Sequence, residues 1–189
     1  MPACSPCAGD VMFLETARLR LRDKEASDLD FLAGLSADPL VMRWIGDGST
    51  YPRGEIEARL ARVLEIEREP GRERWDNFKI VERKDDGALL GQAGILRCEV
   101  DGVPEVEIGW WLTPAAWGHG YATEAATALR DYAFTVAAIP RLVVVLHAEN
   151  ERSVAVAKRI GGDEPRLARY RDRLVTCYTV RPATTAAFA

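Results

Sequence analysis

The residues best suited to chemistry run in succession from Trp117 through Gly118, His119, Gly120, Tyr121 and Ala122 to Thr123. Two glycines and an alanine lie here between a strand-like pattern and a helix-like one, so a ligand can come against bare backbone. The first amides of a helix have no intrahelical acceptor, and together with the helix dipole they favour a phosphate or pyrophosphate. Gly-x-Gly also serves as a plain turn. Such a site asks for amides rather than a base, so the His119 side chain is read as solvated. No Gly-Lys-Ser/Thr follows, which removes a Walker loop, and Thr123 stands where a dinucleotide fingerprint needs its third glycine.

A second constellation precedes the loop. In a regular strand Glu105 and Glu107 share a face, and two neighbouring carboxylates raise the pKa of at least one of them toward a value useful for accepting a proton. A solvent-facing pair is the plain alternative. Further on, Asn150 and Ser153 form N-x-x-S at the opening of a short helix, where Ser153 has the chemistry of a cap. Cys4 and Cys7 make a lone C-x-x-C on a Pro-rich tail, and Cys98, Cys177 and the two histidines stand apart, so no metal-ligand spacing is present and no metal site is expected.

These groups need a scaffold, and 189 residues provide one domain without room for a second core. The 25 basic and 29 acidic side chains give a net charge of −4, so no global positive field draws the chain to nucleic acid or anionic lipid. The first residues lack a secretory signal, and no run approaches the ~20 apolar residues of a spanning helix. A cytoplasmic location and no membrane partner are therefore expected. Residues 1–12 read as a disordered leader, with a natural start near Met12 and a single domain over 13–189.

Periodicity then places the elements. Arg18–Arg22 alternates as a half-buried strand. Ser27 offers a cap for a helix carrying Leu29, Phe31, Leu32 and Leu35, and Pro39 opens another short helix. Ile56, Leu60, Val63 and Leu64 recur at helical spacing within Arg53–Glu69, and Pro70-Gly71 stops that helix. Strand patterns over Trp75–Glu82, Leu89–Leu96 and Glu105–Leu112, separated by Asp85-Asp86-Gly87 and Asp101-Gly102, predict an antiparallel meander. Ala122–Val136 is the helix after the glycine loop. Arg141–Ala148 is a continuous apolar strand of the kind covered on both faces, and Ser153–Ile160 and Leu174–Val180 supply a short helix and a last strand. The order is that of an α+β chain with helices on a central sheet.

The succession EIGWWL, a short loop, WGHGYATEA, a helix ending YAF, and a strand leading to N-x-x-S and a glycine-closed helix resembles the GCN5-related N-acetyltransferase (GNAT) superfamily over about Phe13 to Val180. Within it, the pattern is similar to the RimJ/RimL-type ribosomal-protein N-terminal acetyltransferases. The resemblance implies a mostly antiparallel twisted sheet with a splay between the Glu105–Leu112 and Arg141–Ala148 strands, flanked by helices. It implies acetyl-CoA in that splay as co-substrate, with its pyrophosphate on the amides of Gly118, His119, Gly120, Tyr121 and Ala122, and Trp117 and Thr123 at the ends of the site. It implies transfer of the acetyl group to a primary amine, on a protein N-terminus or a small molecule, in a ternary complex without metal. Glu107 falls at the acidic position of the motif as proton acceptor. Asn150 would bind the pantetheine arm or orient the thioester, and Ser153 would serve the departing thiolate. Ala157 stands where many members carry a tyrosine, and Gly162 replaces an aromatic. A non-catalytic acyl-CoA sensor, an aminoglycoside-type acetyltransferase and a bare interaction module are the competing readings, and a second copy of the chain is a candidate partner.

Overall fold

The computed structural model describes residues 12–182. Fifteen elements follow in chain order, eight of them strands of one sheet: β1 (Met12–Glu15), β2 (Leu19–Arg22), β3 (Asn77–Arg83), β4 (Leu89–Val100), β5 (Val103–Leu112), β6 (Leu142–Leu146), β7 (Arg166–Tyr170) and β8 (Arg173–Val180). The helices are α1 (Leu29–Ala37), α2 (Pro39–Met42), α3 (Arg53–Ile66), α4 (Tyr121–Thr135) and α5 (Glu151–Arg159), with two 3₁₀ turns at Ala26–Asp28 and Pro114–Ala116. The spatial order is β1-β2-β3-β4-β5-β6-β8-β7. Every neighbouring pair is antiparallel except β5 with β6. This is the mostly antiparallel α+β sheet, flanked by helices and opened between β5 and β6, that the resemblance implies. No helix among the described residues is long and apolar enough to cross a membrane.

Period-2 burial divides the sheet into two faces. On one, Leu19, Leu21, Val81, Ala93, Ile95 and Ile108 pack under Ala125, Ala126, Leu129 and Ala133 of α4, Val156 of α5 and Ile160 at its C-terminal cap. On the other, Ile80 packs under Leu32, Ile56 and Leu60 of α1 and α3. β6 is buried on both sides: Leu142 and Val144 join the α4 core, while Val143 packs with Val100, Ala168 and Cys177. Its continuous apolar sequence is explained by that double cover. Gly91 marks the tightest approach within the meander, because a Cβ there would lie 2.7 Å from the Leu112 Cα and closer still to the Trp111 carbonyl oxygen.

The structure corrects several local expectations. β1 and β7 were not foreseen, and β1 begins at Met12, inside the span read as a leader. The rest of that leader, including Cys4 and Cys7, lies outside the described residues. α1 is introduced not by Ser27 but by a capping box between Glu25 and the buried Asp28, whose carboxylate also takes both Arg22 guanidinium nitrogens at 2.7 and 2.9 Å. α3 ends at Ile66, three residues before the expected Glu69. α5 begins at Glu151, because Asn150 rather than Ser153 is its cap: the Asn150 side-chain oxygen accepts from the Ser153 N–H at 3.3 Å.

Candidate active site

β5 and β6 are parallel neighbours for only one residue pair, Glu107 with Val143. Beyond that rung, Ile108–Leu112 and Val144–Leu146 diverge, and the opening between them is lined by Glu107, Gly109 and Trp111 on one side and Val144, Val145 and Leu146 on the other, a space of about 70 Å³. It adjoins a cavity of about 830 Å³ through shared walls at Trp44, Trp110, Trp111, Asn150 and Ser153. That volume lies within the usual range for ligand sites. The large cavity is walled by the segment after β5, the start of α4, one face of α5, and α2 with the residues after it.

The glycine loop enters α4 through two left-handed residues, Gly118 and Gly120, each with φ of 80°, and Gly120 is the helix cap. The Trp117 indole N–H closes the turn by donating to the Leu112 carbonyl at 2.9 Å. Arg18 clasps the loop from β2's approach: its Nη1 donates to the His119 carbonyl at 3.1 Å, its guanidinium pairs with Glu124 at 2.6 Å, and its plane lies 4.7 Å from the Tyr121 ring centroid. Glu124, in the first turn of α4, also accepts from the Thr16 hydroxyl at 2.6 Å and from the Arg18 N–H at 2.9 Å. Burial works against its charge, yet these bonds hold the Glu124 carboxyl below its ordinary range. The loop is thereby shaped before any ligand arrives, with Gly120 and the first residues of α4 lining the cavity. The exposed His119 ring stacks on Tyr121, 5.6 Å between centroids, and only its backbone belongs to the clasp.

Of the residues singled out in the sequence, Trp117, Gly118, Gly120, Tyr121, Ala122, Thr123, Asn150 and Ser153 line the large cavity together, and Glu107 stands at the root of the splay. One expectation is corrected. Glu105 is not the group that perturbs Glu107: the register that sets Glu107 against Val143 brings Arg141 beside Glu105, and the two form a bidentate pair at 2.5 and 2.9 Å. Burial, not a neighbouring carboxylate, pushes the Glu107 carboxyl up, while a hydrogen bond from Tyr170 and the charge of Arg171 pull it down. Ser153, expected as a cap, instead occupies the third residue of α5, where its backbone is satisfied by Asn150 and its side chain lies on the wall between the two cavities. Ala157 is fully buried against Gly162.

Three site residues escaped the sequence reading. Arg152 and Arg159 line the large cavity, Arg152 with its guanidinium 4.6 Å from the Trp117 ring centroid. Their spacing of seven, two helical turns, was the available signal. Tyr170 donates its hydroxyl to Glu107 Oε2 at 2.6 Å across 63 residues of sequence, and nothing local announces it. Cys98 lies in register with Glu105; burial pushes its thiol up to about 12, with Glu107 and Glu105 adding to the effect, so it is a protonated packing residue and no nucleophile.

Comparison with known proteins matches residues 18–163 to the family described as the Acetyltransferase (GNAT) domain. The uncharacterized protein YkkB of Bacillus subtilis (strain 168) is 34% identical over 154 residues, which cover 78% of this chain and 83% of that one. Among solved structures, an acetyltransferase from Agrobacterium tumefaciens str. C58 superposes with a TM-score of 0.74 at 29% identity, over 95% of this chain and 100% of the other. Spermidine N-acetyltransferase from Vibrio cholerae, solved in complex with CoA and spermine, shares the fold with a TM-score of 0.68 at 17% identity, over 88% of this chain and 96% of that one.

Proposed function

This chain belongs to the GNAT acetyltransferase family, and from that premise we propose that it transfers an acetyl group from acetyl-CoA to a primary amine by direct attack in a ternary complex. The observation that carries the reading is the continuity of three features: a glycine loop with bared helix amides, an opening between two parallel strands, and a carboxylate at the root of that opening. The fit to CoA is chemical as well as spatial. The amides of α4 and the cations of Arg152 and Arg159 suit phosphates, and the unpaired strand edges of the splay suit an amide-rich arm that adds like a strand.

Bound acetyl-CoA supplies an activated acyl carbon and a thiolate leaving group. The chain's residues do the rest. An amine attacks only when neutral, and Glu107, with a carboxylate oxygen on the acceptor side of the splay, takes the proton released as the N–C bond forms and the C–S bond breaks. Asn150 and Ser153 stand on the opposite wall, where an amide and a hydroxyl can orient the thioester and protonate the thiolate. With a leaving-group pKa near ~8.5 for a thiol, a strong acid is not demanded. The acceptor enters from the α2–α3 side, past Trp44, Phe78 and Trp111, with Asp47 nearby on the same loop; a protein N-terminus of the RimJ/RimL kind or a small amine presents the matching cationic group. The reaction belongs in the cytoplasm, where acetyl-CoA is made and used.

One observation favours a second reading, an acyl-CoA sensor: Ala157 fills the place of the tyrosine that many relatives use, and it is buried. A thiol-release assay with an amine panel separates the two. Acetyl-CoA-dependent release of CoA above background supports transfer, and tight binding without release supports the sensor. The cations yield a further expectation. Arg152→Ala combined with Arg159→Ala should weaken CoA binding about tenfold at low salt, with the difference shrinking as ionic strength rises. Calorimetric titration at two salt concentrations checks it, and equal affinity at both would remove these arginines from the phosphate site.

A further inference from the structure

Tyr170 is the last residue of β7, at the edge of the sheet, and the β7–β8 hairpin turns through Arg171 and Asp172, both left-handed with φ of 45° and 60°. The turn carries no glycine, so its two strained residues hold a fixed geometry. The hairpin is anchored close to its tip. Asp101, in the β4–β5 turn, accepts from the Arg169 N–H at 2.7 Å and pairs with Arg166, and the Arg169 carbonyl accepts from the Asp101 N–H at 2.9 Å. So held, the hairpin delivers the Tyr170 hydroxyl to one oxygen of Glu107, Oε2, at 2.6 Å. The other oxygen, Oε1, lies toward Gly109, 3.6 Å from where a Cβ on that glycine would sit, on the side of the small cavity and the Phe78 ring.

We infer that Tyr170 is a positioning residue for the acetyl transfer: by holding Oε2 it fixes the Glu107 carboxylate with Oε1 turned to the incoming amine. The inference rests on the proposed role of Glu107 and assigns the hairpin a part in it. Holding one oxygen from a separate strand removes rotamer freedom from a short-lived proton acceptor, and geometry of this kind is worth more at the moment of reaction than in binding. The same bond offsets part of the burial that pushes the Glu107 carboxyl up, and so favours its ionised form. The phenol is suited to the task, since burial and the facing Glu107 raise its own pKa and keep the donor proton in place. The other charged or titratable groups around Glu107 are Arg171 beside the tyrosine ring, Cys98 on β4 and Glu105, which Arg141 neutralises.

Tyr170→Phe tests this with the ring's packing retained and folding checked by thermal unfolding. In NMR titration of carboxyl-labelled glutamate, with Glu107 assigned through Glu107→Gln, the Glu107 midpoint should rise by roughly half a pH unit in Tyr170→Phe. In kinetics, kcat/KM for the amine should fall about 3- to 10-fold, its acid limb should move up in pH, and KM for acetyl-CoA should stay. Adding Tyr170→Phe to Glu107→Gln should cost nothing more. An unmoved midpoint, an unmoved limb, or additive losses in the double variant would each overturn the inference. If the midpoint moves but the wild-type protein releases no CoA with any amine, the reading of the site as an acetyltransferase fails, and the positioning role falls with it while the measured pairing stands.

Discussion

Glu107→Gln is expected to lower kcat/KM for the acceptor amine by about 10²-fold and to leave the Kd for CoA unchanged, because a positioned general base contributes on that order and glutamine keeps the shape without accepting a proton. The wild-type profile should show an acid limb above the ordinary glutamate range, since burial pushes this carboxyl up, and the variant should lose that limb. A stability signature accompanies the kinetic one. A group whose folded pKa is raised contributes stability that is full below its unfolded pKa and is lost as pH rises through the folded value. Wild-type stability should therefore decline across the window that begins near ~4.3, the ordinary glutamate pKa, and ends at the raised value, and Glu107→Gln should flatten the decline. Denaturant melts across pH together with steady-state rates check both halves. Wild-type turnover with an intact acid limb in the variant would take Glu107 out of the chemistry.

Gly120→Val is expected to reduce CoA affinity by well over tenfold. A Cβ at this position would meet only Arg18, at 3.6 Å, so the protein side has room. The obstacle is the backbone: φ is 80° here, a region a β-branched residue adopts only under strain, typically ~1–3 kcal/mol. The chain relieves that strain by rotating the loop, which turns the first α4 amides away from the cavity, and the added methyls stand where a diphosphate would lie. A typical domain's stability of ~5–15 kcal/mol tolerates such a cost, so the variant should fold. Gly120→Ala should fall between the two. Titration calorimetry with CoA measures the series, and a folded Gly120→Val that binds like the wild type would remove the loop from the binding site.

The parts of the molecule legible in the sequence are those whose signal is local. The glycine loop announces itself because left-handed residues at 118 and 120 need glycine, and β6 because burial on both faces demands an unbroken apolar run. β7 was invisible for the opposite reason: as an edge strand it buries only Ala168 fully and exposes Arg166, Leu167 and Arg169, so no alternation of hydrophobicity marks it. The Glu105–Glu107 pair misled because strand alternation gives the shared face but says nothing of what the next strand brings; only the β5–β6 register reveals Arg141 beside Glu105. Tyr170 was missed on the same ground, its partner being fixed by the order of strands across the sheet rather than by neighbours in the chain.

The lone rung between β5 and β6 also bears on how the molecule comes apart. Five strands on one side and three on the other share a single ladder rung, and are joined otherwise by α4 and α5 packing across both and by a few contacts at the rim, Asp101 with Arg166 and Arg169, Arg141 with Glu105 and Tyr170 with Glu107. Sub-global opening is cheapest along such a seam, so the β6–β8 portion forms a natural cooperative unit of its own. A ligand that bonds to both lips of the seam welds the two units into one, and occupancy then governs mechanical integrity as well as turnover.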